Sequence, residues 1–225
     1  MATVGVVLSG CGYLDGAEIQ ESVLTLLALD RAKATVRCMA PDIDQMHVID
    51  HLSGKETAER RNVRVEAARI ARGSVEDIAA VRGEELDALV LPGGYGAAKN
   101  LSDYAVKGAA CSVHPDVARL VREMLGARKP IGAICIAPAV LARILQDAGV
   151  SATLTIGNDA ATARDIASTG NRHRPAPVTD IVVDRKNRIV TTPAYMLGPS
   201  IAPVAKGIEK AVKEVLEMVK RPGKR

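Results

Sequence analysis

Aromatic side chains are nearly absent from this 225-residue chain, which has four Tyr and neither Phe nor Trp. Proteins that bind single-stranded nucleic acid usually stack its bases on aromatic side chains, and this sequence offers few of them. The net charge is +4 with the two signs interspersed, and the most basic segment, residues 220–225, is predicted to be a solvated tail. These features argue against a nucleic-acid partner, and they leave the core to Val, Leu, Ile, Ala and Met.

Cysteine is also scarce, and the four that are present, Cys11, Cys38, Cys111 and Cys135, match no metal-ligand spacing and no disulfide framework. Reduced thiols are typical of the cytosol, so we expect a cytoplasmic protein without a bound metal. The chain has no apolar run long enough to span a bilayer, and its first strand starts without a charged leader. The sequence therefore predicts neither a membrane partner nor a targeting segment.

Linker-like runs of Gly, Ser or Pro are missing, which predicts one domain over residues 1–220 and a basic C-terminal tail, residues 221–225. Predicted strands are 4–9, 35–39, 86–91, the run before Cys135, 152–156, 180–184 and 188–192, and predicted helices are 18–31, 56–72, 115–128, one that Pro138 opens, and 201–219. This alternation indicates an α/β fold with a mostly parallel sheet covered on both faces, plus a late antiparallel hairpin that turns at residues 186–187.

The segment Lys129-Pro-Ile-Gly-Ala-Ile-Cys-Ile-Ala-Pro138 is an apolar run that stops at Cys135 shortly before a helix. At such a nucleophile elbow the strand turns sharply, and the nucleophile stands clear of the sheet near the positive end of the helix. Free cysteine is more often a buried structural thiol, but this one lies where open α/β sheets bind ligands, at the carboxyl ends of the strands. We therefore predict a nucleophilic Cys135 whose position favours the thiolate.

A second strand is followed by Pro92-Gly93-Gly94. Such a turn can direct backbone N–H groups at a developing oxyanion beside Cys135, and the N–H of Ile136 would be another donor. Without the thiol the same residues would be an ordinary glycine-rich turn. Neither a P-loop nor a dinucleotide fingerprint is present, so no nucleotide cofactor is predicted.

Glu18 and Glu21 lie three residues apart at the start of the first predicted helix, from which one of them can reach Cys135. An ionised carboxylate would raise the pKa of the thiol by like-charge repulsion, so a useful partner must be protonated, and the pair would share one proton. The competing explanation is that acidic residues are common at helix N-termini because of the helix dipole.

Five motifs, spread over nearly the whole chain, resemble the class I glutamine amidotransferase-like superfamily, which includes the PfpI proteases and the Parkinsonism-associated deglycase. Within it the chain is most similar to the ElbB-type branch, glyoxalases linked to isoprenoid biosynthesis. The motifs are Leu8-Ser-Gly-Cys-Gly-Tyr-Leu-Asp-Gly16, Pro41-Asp42 with His47-Val-Ile-Asp-His51, Pro92-Gly-Gly-Tyr-Gly-Ala-Ala-Lys-Asn100, Ile134-Cys-Ile-Ala-Pro138 and Thr191-Thr-Pro-Ala-Tyr-Met196. Relatives usually carry Phe where this chain has Tyr95 and Tyr195.

The resemblance implies a flavodoxin-like three-layer sandwich with Cys135 as the nucleophile. It implies a glutamate partner from the first helix, which we map to Glu21, with Glu18 as a close competitor. By the same register, the residues that line the oxyanion hole are Gly93, Gly94 and Ile136.

The remaining candidate site residues are Cys11, Tyr95 and Asn158, which we expect to line the substrate pocket. The superfamily's amidotransferases carry a His after the elbow, whereas this chain reads Gly157-Asn-Asp159 after the strand that follows. A glutaminase triad is therefore not expected.

The first functional hypothesis is a cofactor-independent glyoxalase. Cys135 adds to glyoxal or methylglyoxal as a hemithioacetal, Glu21 shuttles a proton, and water hydrolyses the resulting thioester to glycolate or lactate. The same residues would serve a deglycase, and no metal, glutathione or nucleotide is required.

A second hypothesis is a thiol redox sensor or regulatory interaction protein linked to isoprenoid biosynthesis, without physiological turnover. A third, a peptidase, needs a His from a neighbouring subunit. Because the superfamily commonly dimerises, we expect a homodimer.

Overall fold

The computed structural model describes residues 1–221, which are organised around a seven-stranded sheet. The strands are β1 (Thr3–Val7), β2 (Thr35–Ala40), β3 (Ile49–Asp50), β4 (Lys55–Glu56), β5 (Val75–Asp77), β6 (Ala88–Leu91), β7 (Ile131–Ile134), β8 (Thr153–Leu154), β9 (Arg172–His173), β10 (Val182–Asp184) and β11 (Ile189–Thr192). The helices are α1 (Ile19–Arg31), α2 (Val63–Ile70), α3 (Tyr95–Lys99), α4 (Tyr104–Lys107), α5 (Pro115–Gly126), α6 (Ala137–Asp147), α7 (Ala160–Ser168) and α8 (Ile201–Lys220).

The central sheet has the strand order β10-β11-β7-β6-β1-β2-β5. Every neighbouring pair is parallel except β10 and β11, which form an antiparallel hairpin. Strands β6 and β7 are buried at every position, because parallel strands are covered on both faces. The predicted flavodoxin-like α/β fold is confirmed, and so is the late hairpin.

Two apolar cores lie on the two faces of the sheet, each between the sheet and the helices that cover it, so the fold has three layers. Helices α1, α2 and α8 pack on one face, whereas α3, α5, α6 and α7 pack on the other. Helix α8 shows the expected pattern, since Val204, Ile208, Val212 and Val215 are buried at helical spacing.

Helix α1 departs from this pattern, because its inward side is partly polar. Glu21 and Thr25 are buried, whereas Ile19, Val23 and Leu27 are exposed by 44%, 47% and 39%. Apolar spacing alone would turn the exposed residues inward, so here the sequence pattern misassigns the buried face. The reason is tertiary: the buried Glu21 carboxyl accepts hydrogen bonds from backbone N–H groups that follow β6 and β11.

The predicted homodimer stays a prediction.

Two predicted elements differ from the structure. The first part of the predicted helix 56–72 is wrong, because β4 pairs with β3 in a small antiparallel sheet and α2 begins only after Asn62. The Asn62 side chain accepts a hydrogen bond from the N–H of Val65, and this N-cap fixes where the helix starts. The predicted strand 152–156 forms β8, which pairs with β9 outside the central sheet.

Two further elements were not predicted from the sequence. They are β5, at one edge of the sheet, and α7, whose first turn is capped by the side chain of Asp159. The predicted division into a domain, 1–220, and a tail, 221–225, stays a prediction, and residues 222–225 lie outside the described part of the chain. None of the helices within residues 1–221 combines the length and the apolar character needed to cross a bilayer.

Candidate active site

Cys135 occupies the sharp turn between β7 and α6. Its φ of +61° lies in the left-handed region, which a residue with a side chain rarely adopts. The turn is held because the Cys135 N–H donates to the carbonyl of Thr192 on the next strand, at 2.9 Å. Pro138 stands in the first turn of α6, where its missing N–H removes no helical hydrogen bond. The predicted elbow is therefore present, and the thiol-bearing residue is 7% exposed.

Glu21 is the carboxylic acid that meets this thiol. It is fully buried, and both its Oε2 and the Cys135 sulfur lie against Gly93, so that each of the two groups shifts the pKa of the other. Its Oε2 accepts from the N–H of Gly93 at 3.0 Å, and its Oε1 accepts from the N–H of Tyr195 at 3.1 Å. Each carboxyl oxygen is thus fixed by one backbone donor from a different strand end, which orients the acid toward the sulfur.

The pair Glu21 and Cys135 resists carrying two negative charges. Burial raises the pKa of Glu21 to about 7 against the hydrogen bonds from Tyr195 and Gly93. Burial, followed by the charge of Glu21, raises the pKa of the Cys135 thiol well above its usual value. The prediction that the elbow position alone favours a thiolate is therefore wrong for this environment. A thiolate forms here only when its proton stays on the neighbouring carboxyl, so the two groups titrate as one unit.

The backbone donors around the sulfur differ from the predicted set. The backbone N–H groups of Gly94 and Ile136 lie close to the Cys135 sulfur and lower the pKa of the thiol. The N–H of Gly93 is not available in the same way, because it donates to Glu21. Of the three predicted oxyanion donors, Gly94 and Ile136 therefore face the nucleophile, whereas Gly93 holds the acid.

Glu18 lies at the start of α1 and plays a different part from Glu21. Its Oε2 accepts a hydrogen bond from the backbone N–H of Glu21 at 2.5 Å, so it is the N-cap of the helix. Burial raises the pKa of the Glu18 carboxyl, and the hydrogen bonds from the backbone of the first turn oppose the rise. The two glutamates that the sequence left as competitors are thereby separated: Glu21 contacts the thiol and Glu18 caps the helix that carries Glu21.

Comparison with known proteins places this arrangement in a family. A model of the DJ-1/PfpI family matches residues 12–193. The chain belongs to the DJ-1/PfpI family. The family includes enzymes, among them glyoxalases and proteases.

Two curated relatives of this DJ-1/PfpI protein align with most of its length. The ES1 protein homolog, mitochondrial, of Rattus norvegicus is 44% identical and covers 96% of this chain and 84% of its own. The glutamine amidotransferase-like class 1 domain-containing protein 3, mitochondrial, of Homo sapiens is also 44% identical and covers 96% of this chain and 83% of its own. Both are named mitochondrial, which overturns the predicted cytoplasmic location.

Among solved structures, an isoprenoid biosynthesis protein with an amidotransferase-like domain from Ehrlichia chaffeensis superimposes with a TM-score of 0.90. It is 41% identical, and the match covers 96% of this chain and 99% of that one. The predicted resemblance to the ElbB-type branch is thus supported by an ElbB-like structural neighbour within the DJ-1/PfpI family.

The three predicted pocket residues differ in their exposure and surroundings. Tyr95 begins α3 directly after Gly94, and its side chain is 52% exposed at the edge of the site. Cys11 lies near the acidic side chains of Glu66 and Asp15. Burial, followed by these negative charges, raises the pKa of the Cys11 thiol. Asn158 is exposed next to the cap of α7. The pocket roles of Cys11, Tyr95 and Asn158 stay predictions.

Tyr195 is a site residue that the sequence reasoning placed in a motif but gave no role. It lies in the 3-10 turn Ala194–Met196 after β11, and the φ of Ala194 is +43°. This turn aims the Tyr195 N–H at Glu21, and the Tyr195 hydroxyl bonds the side chain of Gln20 on α1. The sequence indicated Tyr195 only through the motif Thr191-Thr-Pro-Ala-Tyr-Met196, because every residue except proline has a backbone N–H and the residue type does not show where that group points.

Within residues 1–221, no three or more His, Cys, Asp or Glu side chains are grouped to hold a metal ion. The four cysteines are free thiols.

We expect Gly93→Ala to disable the site. A Cβ at this position would lie 2.4 Å from the Cβ of Cys135 and 2.7 Å from Oε2 of Glu21, and neither atom can move without breaking the pair. The variant should lose most Cys135-dependent activity and about 1–3 kcal/mol of unfolding free energy. The matched control is Gly126→Ala in α5, where an added Cβ meets nothing within 4 Å. Equal activity in the two variants would contradict this geometry.

The buried acid should also leave a signature in stability. With the pKa of Glu21 near 7 in the folded state and an ordinary value of 4.5, the unfolded chain loses this proton first as the pH rises. The folded state is therefore destabilised, relative to Glu21→Gln, by about 3 kcal/mol between pH 4.5 and pH 7, since one pKa unit is about 1.4 kcal/mol. Urea unfolding of both proteins across this range measures the effect.

A pH-independent offset is expected in the same experiment, because Gln cannot accept from both backbone donors. The test therefore depends on the part of the difference in unfolding free energy that changes with pH. Parallel stability curves for the two proteins would contradict a raised pKa for Glu21. Glu56→Gln, which removes an exposed carboxyl of β4, controls for the loss of one negative charge.

Proposed function

We propose that this protein is a glutathione-independent glyoxalase that converts glyoxal or methylglyoxal to glycolate or lactate. The observation that carries the proposal is the fully buried Glu21 beside the Cys135 thiol, with the N–H groups of Gly94 and Ile136 close to the same sulfur. A nucleophile, a proton carrier and two oxyanion donors are the groups that an internal redox reaction of a dicarbonyl requires.

The first step forms a carbon–sulfur bond. Glu21 takes the proton of Cys135 as the sulfur attacks one aldehyde carbon, and the carbonyl electron pair moves to oxygen, where Gly94 and Ile136 can donate hydrogen bonds. Glu21 then returns the proton to that oxygen. The product is a hemithioacetal, and the pair has regained its starting charge.

The second step moves two electrons from one carbon to the other. Glu21 removes the C–H proton of the hemithioacetal carbon, its electron pair forms a carbon–carbon double bond, and the neighbouring carbonyl oxygen takes up a proton from water. Glu21 then delivers the C–H proton to that second carbon, and the first carbon's hydroxyl loses its proton to water, which gives a 2-hydroxy thioester. The first carbon is oxidised and the second reduced, so no external oxidant is consumed.

Hydrolysis completes the cycle. Water adds to the thioester carbonyl, the carbon–sulfur bond breaks, and Cys135 recovers its proton. The burial of Glu21 suits this sequence, because a carboxyl whose pKa lies near 7 can both accept and donate a proton at neutral pH. Glycated amines carry a related carbonyl, so a deglycase activity would use the same residues.

The test uses purified protein, glyoxal and no glutathione, with glycolate followed by proton NMR. We expect glycolate to accumulate as glyoxal disappears, and lactate to form from methylglyoxal. If glyoxal were consumed without glycolate although the thiol was confirmed to be reduced, the glyoxalase proposal would be wrong. Sulfinate formation at Cys135 at low peroxide, in the absence of turnover, would then support the thiol-sensor alternative.

A further inference from the structure

Glu18 forms hydrogen bonds both to the start of α1, which carries Glu21, and to the glycine turn after β6. Its Oε2 accepts from the N–H of Glu21, and its own N–H donates to the carbonyl of Gly93 at 3.0 Å. Its carbonyl accepts from the N–H and the hydroxyl of Ser22, at 3.0 and 2.7 Å. One residue therefore links the helix that carries the acid to the glycine turn that orients it.

The Glu18 side chain is unusual for a helix cap at such a place. Ser, Thr, Asp and Asn cap helices most often, and a neutral hydroxyl or amide oxygen would satisfy the same N–H. Glu18 instead brings a second carboxylate into the first turn of the helix, next to the buried Glu21 carboxyl. In the described part of the chain, no cationic side chain is among the groups that chiefly shift the pKa of Glu21. A neighbouring negative charge disfavours ionisation of that buried acid.

The groups that face Glu21 come from four parts of the fold. They are the Cys135 thiol at the elbow, the Gly93 N–H after β6, the N–H of Tyr195 after β11, and the Glu18 carboxylate on the same helix end. Among these contacts Glu18 is the charged one. Its charge acts in the same direction as burial, raising the pKa of Glu21, whereas the backbone donors act against it.

We propose that Glu18 is a positioning residue that fixes the backbone of Glu21 through its cap and, through its negative charge, keeps the shared proton on the Glu21 and Cys135 pair. The proposal refines the glyoxalase reaction, in which that proton is moved at every step. It can nevertheless be tested without turnover, because it concerns a titration.

The key variant is Glu18→Gln, which removes the charge and retains an oxygen to accept from the Glu21 N–H. Glu18→Ala removes both, and Glu56→Gln removes an exposed carboxyl elsewhere. In protein labelled with ¹³C at the glutamate carboxyls, the Glu21 signal is assigned by its loss in Glu21→Gln. Its titration is then followed in each variant, and alkylation of Cys135 by iodoacetamide is measured over the same pH range by peptide mass spectrometry.

We expect the Glu21 carboxyl to titrate about one pH unit lower in Glu18→Gln than in the parent protein. The pH dependence of Cys135 alkylation should shift with it, while Glu56→Gln leaves both unchanged. An unchanged Glu21 titration in Glu18→Gln would overturn the proposal and leave Glu18 as a cap alone, whatever Glu18→Ala does. Because both readouts are independent of glycolate, failure of the glyoxalase function would be recognised separately.

Discussion

Replacing Cys135 by Ala is expected to reduce glycolate formation from glyoxal by at least about 1,000-fold, to the rate of the reaction without protein. The loss is this large because every later intermediate is attached to the sulfur. Cys135→Ser should be similarly inactive, since a hydroxyl yields its proton to a carboxylate much less readily than a thiol does. The rates are measured by NMR at equal protein concentration.

The matched control is Cys38→Ala, which removes a buried thiol from β2, three strands away from the elbow strand β7 in the central sheet. It should retain the parent rate if folding is intact by circular dichroism. Full glycolate formation by Cys135→Ala would show that the chemistry does not pass through this thiol.

Glu21→Gln is expected to lower the rate by about 100- to 10,000-fold, the range typical of a lost general acid–base group. The amide cannot carry the proton between sulfur, oxygen and carbon. It also cannot accept from both Gly93 and Tyr195, so the aim of the side chain is weakened as well. The same NMR assay measures the effect, with the reduced state of Cys135 confirmed by mass spectrometry.

Comparison with Glu18→Gln separates the two acids of the helix start. Glu18→Gln keeps a cap oxygen and leaves Glu21 in place, so its rate loss should be smaller at neutral pH. Glu21→Asp, which keeps the carboxyl but retracts it, should fall between Glu21→Gln and the parent. A larger rate loss in Glu18→Gln than in Glu21→Gln would assign the proton transfer to Glu18 and contradict this account.

Local patterns in the sequence predicted the elbow and the mostly parallel sheet. An apolar run followed by Cys135 and Pro138 needs only neighbouring residues to define a strand, a turn and a helix. The β10–β11 hairpin was equally local. The predicted helix over residues 56–72 failed because its charged residues fit several structures, and the cap at Asn62 decided where the helix began.

Contacts between distant residues account for what the sequence did not predict. Glu21 is a buried acid whose two oxygens accept hydrogen bonds from Gly93 and Tyr195, which are 72 and 174 positions away in the sequence. The same contacts explain why α1 turns part of its apolar surface outward. They also removed Gly93 from the predicted oxyanion donors, and neither result could be derived from periodicity or composition.

The most direct test of this account is to look for the covalent intermediate. Protein mixed with glyoxal is quenched in acid at short times, digested and analysed by mass spectrometry, while glycolate is measured in the same samples. The account predicts that the peptide containing Cys135 gains the mass of one glyoxal molecule before glycolate appears and loses it when glyoxal is exhausted. Glycolate formed by a protein whose Cys135 peptide stays unmodified throughout would contradict the account.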